Sequence, residues 1–425
     1  MYHTCQTRHA NSVTTWRNSM TYDLVVIGAG PAGMSAAIKA AKAGAHVAII
    51  DENPVSGGKL LGQLYHEPDS GWWVGRNIAR EMIAKASSLG VAIFRKMEIW
   101  GIFPKWNIML NNGERLTTEH VLIATGAAEK AIPVEGWTKP GVMAIGAAQT
   151  LTNFHRVKPG KKVVIIGVDP LSLSVAQELK MAGVEVAGIY PPPATEVSSD
   201  KSNPKQIIQG LSAMAHLAPN ALLKAAGKAA NHPTIKNIAA KCYPSFGVKV
   251  WGIPLHLRKT ITAIEGEKQV EQVRITAIDG NGNQKNGRTK TMGVDCVCIS
   301  GGLYPLSELA EAAGCDFVYI EELGGHVPLH SPELETTKDG IYVAGNITGI
   351  EGAKVAMAQG ELAGTAISSR LGLLQKGSDA ISEAQVKVQD ARANAVITFQ
   401  QHIESGREKL AQCWHTNVQT SSGKG

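Results

Sequence analysis

Aromatic side chains are scarce, making up only 5% of the chain. That leaves few flat faces on which single-stranded bases could stack. No block of lysine and arginine compensates: a formal net charge of +6 is spread over 425 residues. Nucleic acid is therefore not expected as a partner. No stretch reaches the ~18 consecutive apolar residues that a membrane span needs. The six cysteines, Cys5, Cys242, Cys296, Cys298, Cys315 and Cys413, are scattered and form no C-x-x-C. A disulfide framework is not expected in a chain this long, and the cytoplasm is the expected compartment. Residues 1–19 have no apolar core, so they do not read as a secretory signal. They are expected to form a disordered extension, with Met20 a candidate start of translation.

Glycine, by contrast, is abundant at 45 residues. Much of it sits in short clusters, as strand-to-helix turns beside a ligand require. The clearest cluster is Val25-Val-Ile-Gly28-Ala29-Gly30-Pro31-Ala32-Gly33. It closes a buried-strand run, Asp23–Ile27, and opens an Ala-rich helix that ends at Gly44. A second strand, Val47–Ile50, leads to Asp51, 51 − 28 = 23 residues after the first glycine. A lone GxGxxG is weak evidence, but the full strand–turn–helix–strand–acid context is specific for a dinucleotide. Gly28 allows the tight turn, Gly30 lets backbone approach a pyrophosphate, and Gly33 lets the helix pack on the strand. The helix N-terminus offers free N–H groups and partial positive charge, and Asp51 is placed to hold ribose hydroxyls.

A second unit of the same kind opens at Lys161: strand Val163–Ile166, a turn at Gly167, a helix from about Leu171 to Met181, and strand Val184–Ile189. Its turn reads Gly167-Val-Asp169-Pro-Leu-Ser172. Asp169 stands where the second glycine belongs, so its side chain blocks the backbone and its charge repels a pyrophosphate. The position matching Asp51 is Tyr190, since 167 + 23 = 190. NAD(P) is not expected to bind well there. Cys296 and Cys298 share one strand face and read as buried core, because adjacent same-face cysteines bridge poorly. No metal cluster, no Ser-His-Asp set and no single acid or base stands out, so the catalytic residues stay unassigned.

Three further segments resemble the large glutathione-reductase-like class of flavoproteins: Glu52-Asn-Pro-Val-Ser-Gly57-Gly58-Lys59, Ile123-Ala124-Thr125-Gly126, and Ile341-Tyr-Val-Ala-Gly345-Asn346. That class carries Asp where Asn346 stands. The resemblance narrows with Ala124-Thr-Gly-Ala-Ala-Glu-Lys130, Ile132-Pro-Val-Glu-Gly-Trp137, Pro140–Gln149 and Asn346–Gly360. Over about residues 22–372 the chain is similar to α subunits of multi-subunit amine and imino-acid dehydrogenases. These include opine oxidase, hydrogen cyanide synthase, proline and hydroxyproline dehydrogenases and sarcosine oxidase.

The resemblance implies an α/β fold with two Rossmann-like dinucleotide-binding domains and a C-terminal helical tail. The FAD domain is expected at residues 20–155 and 295–372, with an inserted NAD(P)-like domain at 156–294. A separate C-terminal helix is expected at 378–415, its apolar stripe running from Ile381 through Ala384, Val388 and Phe399 to Ile403. FAD, or another ADP-containing nucleotide, is the implied cofactor. Its contacts are expected at Gly28 to Gly33, Asp51, Glu52, Gly58, Lys59, Thr125, Gly126, Gly345, Asn346 and Ala353.

In that family the partner is an FAD-containing β subunit that oxidises the amine. Many α subunits also carry a cysteine-rich [2Fe–2S] segment. Here one cysteine, Cys413, cannot ligate a cluster, so a separate [2Fe–2S] protein would have to supply it. A hetero-oligomer follows, with the tail able to dock on a partner or fold back on its own chain. Two other readings stay open: a stand-alone NAD(P)H-dependent flavin reductase, and a non-catalytic nucleotide-binding scaffold.

Overall fold

The structure, a computed structural model, describes residues 17–67, 71–213, 243–285, 287, 289–375 and 377–422. The expected extension up to residue 16 and most of the helix-prone stretch up to 240 lie outside these residues.

Two sheets organise the chain, which is α/β with two dinucleotide folds. The first places Ala92–Arg95, Val47–Asp51, Arg17–Ile27 and Glu114–Ile123 side by side, all parallel, and Ile341–Val343 adds in parallel to Glu114–Ile123. An antiparallel hairpin, Ile99–Phe103 with Asn107–Leu110, extends it. Val47–Asp51 is buried at every position, as expected of a parallel strand covered on both faces. The helices Pro31–Lys42 and Ala353–Arg370 pack against each other on one face of it. A Cβ on Gly360 would lie 2.0 Å from the Ala32 carbonyl oxygen, and one on Gly364 would lie 2.6 Å from that of Ala36. Small residues are what allow the two helices to touch.

The first strand begins at Arg17, with Arg17 paired to Glu114 and Ser19 to Arg115. Residues 17–19 thus belong to the sheet and not to a disordered extension. Backbone pairing needs no apolar side chain, which is why the polar run did not signal it.

The second sheet runs Val142–Ala144, Cys296–Ile299, Lys162–Ile166, Glu185–Tyr190, Ile253–Leu255, Val248–Val250. Cys296–Ile299 lies between Val142–Ala144 and Lys162–Ile166, with Val163 opposite Cys296 and Ile165 opposite Cys298. This strand was expected to return to the first domain at 295. A four-residue, fully buried apolar strand carries no sign of which sheet it joins. A three-stranded antiparallel layer, Lys259–Glu265, Gln272–Ala277 and Lys290–Gly293, packs beside this sheet.

The tail is not one helix over 378–415. It forms Ala380–Ala393 and Ile403–Ser422, separated at Asn394. The intervening Val396-Ile-Thr398 run is β-branched, which disfavours helix, and His402 has φ +62°. Ala384 and Val388 are buried in the first core, Phe399 packs on Ala127, Leu303 and Ile350, and Leu410 joins Leu323 and Val327. The apolar stripe is therefore spent on the parent chain. Arg392 from one tail helix and Arg407 from the other both pair with the buried Glu351. Their charges hold its carboxyl below the usual range despite burial.

Candidate functional site

The site grows from the end of the strand Arg17–Ile27. Gly28 takes φ +102°, and its N–H donates to the Ile50 carbonyl at 2.8 Å. A Cβ there would come within 2.5 Å of the Ala124 carbonyl oxygen, so the turn and the Ala124–Gly126 strand end meet only because residue 28 is glycine. A Cβ on Gly33 would sit 2.0 Å from the Gly28 carbonyl oxygen. Gly30 is different. Its φ is −76°, and a Cβ there would find nothing within 4 Å. The chain leaves open space at this point, and no side chain caps the N-terminus of Pro31–Lys42. Free N–H groups facing open space are what an anionic group requires.

The remaining expected contacts gather around this turn. The Gly57 N–H donates to the Ala29 carbonyl at 2.8 Å, and a Cβ on Gly58 would lie 3.1 Å from the Gly30 Cα. A Cβ on Gly345 would lie 2.9 Å from that of Ala32. The Thr125 hydroxyl donates to the Leu306 carbonyl at 2.5 Å. Asn346 Oδ1 accepts the Glu351 N–H at 3.1 Å. Ala353 opens the late helix, whose cap, Gly352, also has open space where a Cβ would stand. Glu52 and Lys59 are exposed at the rim.

Asp51 is buried, and both its oxygens are engaged by protein: Oδ2 accepts the Ala29 N–H at 2.7 Å, and Oδ1 accepts the Asn53 N–H and Nδ2 at 2.8 and 3.0 Å. Its first task in this structure is to hold the glycine turn in place.

Two residues near the site were given no role by sequence. Glu129 lies in the quoted Ala124–Lys130 segment and accepts the Gly146 N–H with both oxygens, at 3.0 and 3.2 Å. Burial pushes its carboxyl above the ordinary range, opposed by that N–H and by the charge of Lys59. Glu178 is buried on the second-domain helix and accepts from Gln149, Ser174 and Asn153. Asn153 also donates to the Gly62 carbonyl at 2.7 Å, so this carboxyl is tied to the segment just after Lys59. Burial pushes it up to about 7. Only its place in the fold reveals it, since a lone glutamate on a helix carries no pattern.

The second turn repeats the backbone of the first. Gly167 has φ +115°, and its N–H donates to the Tyr190 carbonyl at 2.8 Å. Its helix N-terminus is closed, however. Asp169 Oδ1 accepts the Ser172 N–H at 2.8 Å, Ser172 Oγ accepts the Asp169 N–H at 2.9 Å, and Ser300 Oγ donates to Asp169 Oδ2 at 2.6 Å. The space beside it is about 110 Å³, with Phe399 and Gln400 of the tail among its walls. Ligand pockets run to roughly 300–1,000 Å³.

Among the described residues no cluster of His, Cys, Asp or Glu could hold a metal ion, and no helix is long and apolar enough to cross a membrane. Cys296 and Cys298 are buried with their sulfurs 4.0 Å apart and unbridged.

Comparison with known proteins matches residues 22–360 to the model of the pyridine nucleotide-disulphide oxidoreductase family. The chain is 31% identical over 390 residues to an opine oxidase subunit of Agrobacterium tumefaciens (strain Ach5), covering 88% of this chain and 70% of that protein. It is 26% identical over 406 residues to hydrogen cyanide synthase subunit HcnB of Pseudomonas aeruginosa, covering 91% and 79%. Among solved structures, L-proline dehydrogenase from P. horikoshii superposes with a TM-score of 0.62 at 20% identity, over 88% of this chain and 59% of that one, a likeness of fold.

Proposed function

The chain belongs to the pyridine nucleotide-disulphide oxidoreductase family, and we propose that within it this protein is an electron-transferring, α-type subunit of an amine or imino-acid dehydrogenase complex. It is a flavin-dependent oxidoreductase, and its family typically binds FAD together with a nicotinamide nucleotide. The observation that carries the proposal is the contrast between the turns. Gly30 and the uncapped helix offer a cradle for a pyrophosphate, whereas Asp169 closes the place a nicotinamide nucleotide would take. A reductase needs both turns open. A protein that receives its electrons from a partner needs only the first.

On this reading Gly28 to Gly33 hold the pyrophosphate. Asp51, whose Oδ2 accepts a single protein hydrogen bond, and the exposed Glu52 beside it meet the ribose. Gly58, Lys59, Thr125 and Gly126 line the path onward. Gly345, Asn346 and the N-terminus at Ala353 hold the ribityl and ring end. Asn346 brings no charge, and its Oδ1 is spent on Glu351, so it serves as a donor through Nδ2. FAD bound there supplies acceptance of electrons in pairs or singly. The chain's part is to position it, with Lys59 and Glu129 setting the local charge.

The relatives' names, which speak of subunits, support a partner and a hetero-oligomer, and the resemblance makes that partner a flavin-bearing β subunit. The scattered cysteines support a cytoplasmic location. The test is anaerobic rapid mixing of the FAD-loaded protein with NADH. Slow flavin reduction at micromolar NADH is expected. Fast reduction would make the protein a stand-alone reductase, and a purified protein that binds no flavin would make it a scaffold.

A further inference from the structure

A cavity of about 360 Å³ lies between the late helix Ala353–Arg370, the two tail helices and the loop at His330. Neither glycine turn contributes to it. Its size is within the range of small-molecule sites. Arg392 and Arg407 line it, and no carboxylate does among the described residues. Both guanidiniums pair with the one Glu351, so two positive charges face a single negative one.

Two polar atoms of residues on this lining are buried without a partner: His330 Nε2 and Arg407 Nε. Their roles are fixed by what their neighbours do. His330 Nδ1 lies 2.8 Å from the Ser331 carbonyl oxygen, which can only accept, so Nδ1 carries the hydrogen. Burial, helped by the charges of Arg407 and Arg392, pushes the imidazolium down to about 4, and the ring is neutral at physiological pH. Nε2 is therefore a bare acceptor, and Arg407 Nε is a cationic donor. Buried polar atoms in folded proteins are almost always paired. A ligand that pairs both must carry an anionic oxygen and a hydrogen to donate.

We propose that this cavity binds a small hydroxylated oxyanion, a hydroxycarboxylate or hydrogen phosphate, whose charged oxygens meet Arg407 and Arg392 and whose hydroxyl donates to His330. Gln359, also on the lining, accepts the Gly345 N–H through Oε1 at 2.7 Å, so an occupant would lie one side chain away from the Gly345 strand end.

Titration calorimetry on the full chain at neutral pH tests this with L-malate, succinate and inorganic phosphate. Malate should bind about tenfold or more tightly than succinate, which matches it except for the hydroxyl and leaves His330 Nε2 unpaired. Phosphate binding more tightly than malate supports the same site with phosphate as its natural occupant. Equal affinity for malate and succinate, or no heat from any of the three at millimolar concentration, overturns the proposal. Ala411→Trp fills the cavity from an exposed position on the last helix and should abolish binding with the melting temperature kept. A folded Ala411→Trp protein that binds malate as before also overturns it. His330→Leu should bring malate down to the affinity of succinate. If that variant fails to fold, Ala411→Trp decides alone.

Discussion

The two glycine-rich turns have nearly the same backbone and opposite endings. Each starts with a glycine at positive φ whose N–H donates to the next strand: Gly28 to Ile50 and Gly167 to Tyr190. Each leads into a helix with proline at its first position, Pro31 or Pro170. At the first helix N-terminus nothing caps the free N–H groups. At the second, Asp169 and Ser172 form a reciprocal capping box, and Ser300 anchors the spare oxygen. A helix end gains from a negative charge wherever it comes from. One turn leaves that charge to a ligand, and the other takes it from its own chain. The same turn backbone can thus end in a bare helix N-terminus or in one capped by its own aspartate.

The comparison breaks most visibly at Gly33. A Cβ there meets the Gly28 carbonyl oxygen at 2.0 Å, so Gly33→Val should force the helix off the strand. A loss of about 3 kcal/mol or more is expected, in line with overpacking at a site that cannot move, and a thermal melt would read it. An unchanged melt would mean that the turn is looser than described. At Gly30 the expectation is the reverse. With open space at the Cβ position and an ordinary φ, Gly30→Val should fold and melt like the ligand-free parent while losing the nucleotide. Full nucleotide occupancy after gel filtration would show that the ligand does not use this turn.

Glu178 connects the two halves and sharpens the comparison through pH. Its folded-state carboxyl is raised from 4.5 to about 7 by burial. The folded protein therefore keeps a proton that the unfolded chain releases near ~4.3. The stability this contributes is complete below that value and is lost as pH rises through about 7. The size is about 3 kcal/mol, at 1.36 kcal/mol per unit. Denaturant melts between pH 4.5 and 7.5 should show this decline, and Glu178→Gln should flatten it. A Gln variant with the same slope would place the titration elsewhere.

The first turn could be read from sequence because its three glycines fall within six residues and Gly33 answers Gly28 directly, although the close approach that demands Gly28 comes from Ala124. The fate of the second turn was half legible. The lost glycine and the tyrosine at 190 stand in the chain, but the hydrogen bond that locks Asp169 comes from Ser300, 131 residues later. The tail shows the same limit. Its stripe of Ile381, Ala384 and Val388 marks a helix correctly, but the 3- and 4-residue spacing runs on through Asn394 to Phe399, where the chain breaks to wall the second turn. Glu351 with Arg392 and Arg407 left no pattern, because three charges 41 and 56 residues apart become a clamp only in the folded chain.

The smallest expected effect discriminates best between the two turns. Asp169→Gly restores the missing glycine. The helix loses its capping box, and Ser300 loses its acceptor. Removing such a cap costs about 1 kcal/mol, so the melting midpoint should fall by a few degrees. In exchange the N-terminus of Pro170–Met181 becomes as bare as that of Pro31–Lys42. If closure by Asp169 is what excludes a nicotinamide nucleotide, NADH affinity should rise, by about tenfold for each 1.4 kcal/mol of repulsion and self-capping removed. The gain should stay modest. Tyr190 still offers no acid to the ribose, and Phe399 and Gln400 still wall the space. Deleting residues 378–425 together with Asp169→Gly should raise it further, at a cost in stability from the exposed Glu351. Fluorescence titration with NADH on both variants reads this directly. If Asp169→Gly lowers the melting midpoint yet leaves NADH affinity unchanged, the aspartate is a cap and nothing more, and the closed turn is explained by the tail instead.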